Sequence, residues 1–203
     1  MQALLQAIET MAWPTDAQRI FHGRGGMYPG CEHWTLDAYP PVFLLTSFQA
    51  VSDADVETVR AALTARLAQL APGQALNLVF QHRDEVRADT RLVTGSVPDP
   101  HEVTELGATY RVHLLRAMNH GLFLDMAEGR RWVADFVAAR SRVKVLNLFA
   151  YTCAFSVVAM KAGARQVTNV DMSGGALGIG KQNHQINGIS SGVSFFPHDI
   201  FKT

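Results

Sequence analysis

Residues 143–171, VKVLNLFAYTCAFSVVAMKAGARQVTNVD, constrain the fold more than any other stretch of the chain. An apolar run from Val143 to Leu148 leads into a short loop and then an apolar helical stretch closed by Gly163. A second apolar run at Val167 to Val170 ends on an acid, Asp171. Two buried strands separated by a helix-length segment make a βαβ unit, whose crossover obliges the strands to pair in parallel. Units of this kind build doubly wound sheets, and their ligands sit in the crevice beyond the C-terminal strand ends. The expectation is an α/β fold with a ligand site between the Asn147–Cys153 loop and Asp171.

That loop contains no glycine. Dinucleotide sites need glycines there so that the backbone can approach a pyrophosphate. Asp171 lies close to the interval of roughly 20 residues at which an acid reaches a ribose hydroxyl pair. A ribose held without a pyrophosphate points to an adenosine-type ligand such as S-adenosylmethionine. The plain alternative for Asp171 is a strand-end residue that caps the next helix. Beyond it come Met172, Ser173, a helix-like stretch from Gly174 to Gln185, a closing Asn187-Gly188 and a third strand at Val193 to Phe196. Asp199, just past that strand, is placed to accept from an adenine amino group, with Ile200 or Met172 packing on the ring. A simple loop acid explains Asp199 equally well.

The first half has another texture. A weak helical pattern from Leu4 to Trp13 stops at Pro14, a Gly-rich stretch runs from Phe21 to Trp34, and Val42 to Phe48 has the composition of a buried strand. Val56, Val59, Leu63, Leu67 and Leu70 then recur with helical period, capped by Ser52 or Asp53 and ended by Ala71-Pro72-Gly73. A strand is expected at Leu76 to Phe80, a charged segment from Gln81 to Arg91, and a hairpin over Glu102 to His113. Asp125 and Glu128 have capping-box spacing ahead of a helix that carries Trp132, Val133, Phe136 and Val137 on one face. The predicted organisation is an N-terminal α+β subdomain, 1–116, followed by a Rossmann-like domain, 117–203.

NLFAYTCAFSVVA, NVDMSGGALGIGKQNHQING and FFPHDIF resemble the cofactor motifs of class I S-adenosylmethionine-dependent methyltransferases. The branch most similar is that of bacterial 23S ribosomal RNA methyltransferases of the cytosine-C5 and guanine-N7 kinds. GLFLDMAEGRRWV resembles the branch's entry helix, which borders the methionine end of the cofactor, and FHGRGGMYPG resembles its N-terminal subdomain. The resemblance implies that Asp171 holds the ribose and Asp199 the adenine edge. It implies that Asn147, Phe149 and Tyr151 line the cofactor loop, and that Phe123, Asp125 and Arg130 lie near the methionine carboxylate and amine. Two departures stand out: Cys153 occupies a position that is Gly in many relatives, and the family's catalytic Pro-Pro motif would fall after Thr203. The expectation is the cofactor-binding half of an RNA methyltransferase, inactive by itself, whose uncovered sheet edge pairs with further polypeptide or a second copy.

Composition narrows the rest. Eighteen basic and 18 acidic residues give a formal net charge of zero, which argues against a surface wholly devoted to nucleic acid but leaves room for a local patch. Two cysteines fit free thiols in a reducing, cytoplasmic setting. No apolar run approaches the roughly 18 residues of a membrane span. Arg24, in the Gly-rich stretch, is a candidate RNA contact, though a tight connection is the commoner use of such a segment. Cys31 and His33 lack a second pair at zinc spacing, and Cys153 suits packing better than nucleophilic attack. Arg111, Arg116, Arg130, Arg131, Arg140, Arg142 and Lys144 suggest a basic rim, or solvated helix ends. A non-catalytic module binding an adenosine-type ligand or a partner is the rival reading. A nicotinamide oxidoreductase is disfavoured by the glycine-free loop.

Overall fold

The computed structural model describes residues 1–83, 88–116 and 119–202. The chain packs as two units, one of Met1–His101 with His113–His120, the other of Glu102–Val112 with Gly121–Thr203. The boundary expected near Ala117 falls outside the described residues. The hairpin, which its texture placed in the first unit, belongs by its packing to the second.

In the first unit, β1 (Gln18–His22), β2 (Trp34–Tyr39), β3 (Val42–Ser47), β4 (Asn77–Arg83) and β5 (Ala88–Thr94) form one sheet in that order. Only β3 and β4 pair in parallel. Their connection is α2 (Asp53–Leu70), the crossover such a pair requires. The Ser52 side chain accepts from the Asp55 amide and the Asp55 carboxylate accepts from the Ser52 amide, so the helix starts on a capping box. Val56, Val59, Leu63 and Leu67 are buried against Leu36, Leu45 and Leu78 of the sheet and Leu4 and Ile8 of α1 (Gln2–Thr10). All six residues of β2 are buried; its Asp37 is tolerated there because Arg19 Nε donates to it at 2.8 Å. The sequence pattern predicts no strand at β1, β2 or β5.

The second unit carries the βαβ repeat. β8 (Lys144–Leu148), β9 (Gln166–Asp171) and β10 (Val193–Pro197) form a parallel sheet in the order β10-β9-β8, in register at Val145, Val167 and Val193. The crossovers are α4 (Ala154–Lys161) and α5 (Gly174–Ile186). Val145 and Val167 pack with Ala159 of α4 and with Val133 and Val137 of α3 (Ala127–Ala138). Residues of opposite parity face away from this helical layer. Leu146, Leu148 and Phe196 on that side are 63%, 42% and 51% exposed, an apolar surface uncovered among the described residues. The hairpin of β6 (His101–Glu105) and β7 (Ala108–Val112) is held by amides of α5. Asn187 Oδ1 accepts from the Thr109 amide and its Nδ2 donates to the Thr109 carbonyl, while Asn183 Oδ1 accepts from the Arg111 amide. Two side chains thus do for β7 what a neighbouring strand would.

Helix α3 departs from expectation at both its start and its face. A 3-10 turn at Leu124–Met126 absorbs Asp125, so the helix begins at Ala127 with no side-chain cap, and the Asp125/Glu128 capping box does not form. The buried face is Arg130 and Val137; Trp132 and Phe136 are exposed and stack on each other at 5.2 Å. Arg130 replaces them inside because Glu105 of β6 neutralises it. Arg130 Nε and Nη2 donate to the two Glu105 oxygens at 2.5 and 2.6 Å, with the side chains 1% and 4% exposed.

Candidate functional site

The site forms where the three parallel strands end. Asp171 closes β9, and both its carboxylate oxygens already organise the neighbourhood. Oδ2 accepts from the Tyr151 amide and Oδ1 from the Ser173 amide, each at 2.8 Å. A carboxylate offers about four acceptor positions, so room remains for a pair of hydroxyls. The Asp171 carbonyl accepts from the His198 amide at 3.0 Å, which brings the segment after β10 alongside. Asp171 was read as a ligand residue; it is also the residue that fixes the loop.

The loop bends without glycine. Phe149, Tyr151 and Cys153 have φ of 53°, 48° and 63°, in the left-handed region. Each costs about 1–2 kcal/mol relative to the right-handed region, so the surroundings must impose the shape. The Ala150 amide donates to Val170 O at 3.0 Å and the Cys153 amide to Ala150 O at 2.7 Å. Gly121 is gripped from both sides: its amide donates to Tyr151 Oη at 3.0 Å, and its carbonyl accepts from Thr152 Oγ1 at 2.5 Å. Gly121 has φ of 102°, and a Cβ there would stand 2.8 Å from Arg111 O, so no other residue fits without displacing backbone. Burial holds the Tyr151 phenol above its ordinary range, partly offset by the Gly121 amide. Its ring lies 5.1 Å from Phe123, which is 45% exposed.

Beneath the loop runs a directional chain of hydrogen bonds. Asn147 Nδ2 donates to Asn169 Oδ1 at 2.9 Å, and Asn169 Nδ2 to Ser156 Oγ at 3.1 Å. His184 Nδ1 faces the Gly180 carbonyl at 2.7 Å and therefore carries the proton, which leaves Nε2 to accept from Ser156 Oγ at 2.8 Å. Burial lowers the His184 pKa, consistent with the neutral ring this chain requires. Asn147 thus gives one of its N–H donors to Asn169, in the layer under the helices.

The remaining expected residues divide. Phe149 is 64% exposed and its ring lies 6.0 Å from Phe201, beside Asp199 and Ile200. Met172 is 70% exposed, next to Asp171. Asp199 Oδ1 accepts from the Phe201 amide at 3.0 Å, and Lys202 Nζ lies 3.5 Å from Oδ2. Asp125 is exposed on the 3-10 turn. Arg130 does not present its guanidinium to the crevice: it binds Glu105 and donates to the Phe123 carbonyl at 2.8 Å, so it anchors the entry segment from behind. Cys153 is fully buried, and burial, with the Asp171 charge, pushes its thiol up to about 12. It is a packing residue. Sequence reasoning missed Gly121, Thr152 and Glu105; only the glycine ahead of an apolar run gave any local signal.

The chemistry of this donor set fits an adenosine-type cofactor: acceptors at Asp171 and Asp199, exposed apolar side chains at Phe149 and Met172 with Ile200 half-buried beside them, and no glycine cradle for phosphates. The family model for S-adenosylmethionine-dependent methyltransferases matches residues 18–203. The chain belongs to this family. It is 32% identical over 193 residues to "Ribosomal RNA large subunit methyltransferase I" of Klebsiella pneumoniae, covering 92% of this chain and 46% of that protein. Among solved structures, a Streptococcus mutans protein assigned as an S-adenosylmethionine-dependent methyltransferase superposes with a TM-score of 0.76 at 22% identity, over 98% of this chain and 53% of the other. A structure of a protein assigned as a methyltransferase, complexed with SAH, superposes at 0.75 with 23% identity, over 98% of this chain and 52% of the other. The chain spans less than half the length of the curated relatives it matches.

Proposed function

We propose that this methyltransferase chain forms the cofactor-holding part of an enzyme that methylates RNA, ribosomal RNA by the names of its relatives. The observation that carries the reading is the Asp171 carboxylate, set at the end of β9 and tied to the loop through the Tyr151 amide. Asp171 would accept from the ribose hydroxyls and Asp199 from the adenine amino group, while Met172, Ile200 and Phe149 cover the ring. Phe123 and the exposed Asp125 would border the methionine end, and Arg130 would hold that segment in place from the buried side. S-adenosylmethionine supplies an electrophilic methyl group on a sulfonium. The residues present here contribute orientation, which is worth a large share of the barrier in a displacement reaction. Deprotonation and base recognition are assigned to none of these residues. We place the protein in the cytoplasm, with its uncovered β8 edge pairing to further polypeptide or a second copy.

Calorimetric titration with the demethylated cofactor tests the reading. Asp171→Asn keeps one carbonyl oxygen for the loop but loses the charge. Hydrogen bonds to charged groups contribute about 1.5–3 kcal/mol, so affinity should fall roughly ten- to hundredfold. Equal heats for both proteins, or none from the wild type, would remove the cofactor assignment.

A further inference from the structure

The first unit carries a cluster that the cofactor reading does not use. Arg24 Cζ stands 4.1 Å from the centroid of the Phe48 ring, and Arg83 Cζ stands 5.9 Å from the same ring. Arg24 is exposed and rises from a tight turn at Gly23–Gly25. The turn packs closely on neighbouring backbone, because a Cβ on Gly23 would run into the Cys31 carbonyl. Met27 and Tyr28, exposed by 76% and 42%, continue the same loop. Arg19, Arg60 and Arg91 of this unit are each paired with a carboxylate. Among the described residues Arg24 and Arg83 form no ion pair with a carboxylate. In a chain of zero net charge, two guanidinium groups at one aromatic ring, without an ion-pair partner among the described residues, are a local concentration of positive charge.

We infer that Arg24, Phe48 and Arg83 form a docking site for single-stranded RNA, gripping phosphates with the guanidinium edges and stacking a base on the outer face of Arg24. Wherever a guanidinium stacks on a ring, its N–H donors stay in the open plane, where they match phosphate oxygens in pairs. Its free face is a platform on which an unstacked base can lie. An acidic protein segment would satisfy the charge but would leave that face unused. The inference rests on the proposed RNA substrate and adds a contact remote in sequence from the proposed cofactor-holding residues.

Fluorescence anisotropy of the 203-residue chain with a labelled single-stranded RNA 20-mer, repeated across salt concentrations, tests it. Arg24→Ala/Arg83→Ala should weaken binding about tenfold at low salt and make the log-log salt slope shallower by about 1.4, the value for two phosphate contacts on a single strand. Arg24→Lys/Arg83→Lys should restore the slope but only part of the affinity, because lysine lacks the planar face. The charge-matched control Arg60→Ala/Arg91→Ala should change neither. Equal losses in the two alanine pairs, or no loss in the first, overturn the site while leaving RNA as substrate intact. Equally tight binding of poly-glutamate overturns it in favour of an acidic partner. A wild-type chain that ignores RNA at every salt concentration overturns both the site and the RNA reading. A titration of the same sample with demethylated cofactor then shows whether the cofactor assignment survives.

Discussion

Gly180 is the position at which the packing of the second unit makes its sharpest demand. It lies buried in α5, and a Cβ built there would stand 2.5 Å from Cys153 Sγ, 3.0 Å from Cys153 Cβ and 3.3 Å from the Thr152 carbonyl carbon. Helix propensity alone favours Gly180→Ala by about 1 kcal/mol. The steric term opposes it. Cys153 is fully buried and the nearest atoms include Cβ and backbone, so a rotamer change cannot clear the clash. Overpacking of this kind costs about 1–3 kcal/mol, and after the propensity gain the substitution should come out destabilising by up to about 2 kcal/mol. Cys153→Gly removes the obstructing atoms and relaxes a left-handed residue, at the loss of a buried thiol. In that background Gly180→Ala should turn neutral or stabilising, which gives a coupling energy of about 2 kcal/mol. Urea titrations followed by circular dichroism would read this as a midpoint lowered by roughly 1 M in the single variant and recovered in the double, at constant slope. Additive effects within about 0.5 kcal/mol would refute the claim that these residues share one space.

Three histidines should make the fold acid-sensitive. Burial lowers the pKa of His101 and of His184, and takes His120 from 6.5 to about 4, with Arg83 adding to the effect on His120. A histidine depressed in the folded state favours the neutral form, so its contribution is complete above the unfolded value near 6.5 and is lost as pH falls toward the folded one. For His120 this amounts to about 3 kcal/mol. Urea midpoints should drop between pH 6.5 and 4, less so in His120→Gln, and a flat profile would contradict the burial argument. Glu105→Gln should destabilise by about 3 kcal/mol because it strands a buried guanidinium, whereas Glu105→Leu with Arg130→Met should recover most of the loss; thermal melts of the three proteins decide between these outcomes. Leu146→Lys, on the uncovered sheet face, should leave stability within about 0.5 kcal/mol while reducing self-association in light scattering. A cooperative loss of structure in that variant would mean the face is covered after all.

The parts of the fold that were legible in the sequence are those whose signal is local. Helix α2 announces itself through Val56, Val59, Leu63 and Leu67 and through Ser52, because period and cap lie within one stretch of chain. The three parallel strands and Asp171 are legible for the same reason. Strand β2 was hidden because Asp37 breaks its apolar run, and the Arg19 that neutralises it lies 18 residues away. Helix α3 misled in the same manner: its inward arginine is explained by a glutamate on β6, and nothing near Arg130 in sequence says so. Hydrophobicity made Trp132 and Phe136 the natural inner face, yet burial is decided by partners. The candidate site divides along this line. Asp171 and the loop could be named in advance, whereas the grip of Tyr151 and Thr152 on Gly121 depends on contacts about 30 residues apart.

The Tyr151 amide has a bearing on which ligands the loop can ever accept. Left-handed residues in a short loop are the usual means of turning backbone N–H groups toward an anion. Here one such N–H already holds an anion that belongs to the chain itself, the Asp171 side chain at 2.8 Å. A free phosphate would have to displace a tethered carboxylate whose effective concentration is in the millimolar range or above, and would then stand beside its negative charge. The loop thus has one N–H fewer to offer a nucleotide that would enter by its phosphates. That donor is occupied in the resting backbone by the chain's own carboxylate, before any ligand arrives.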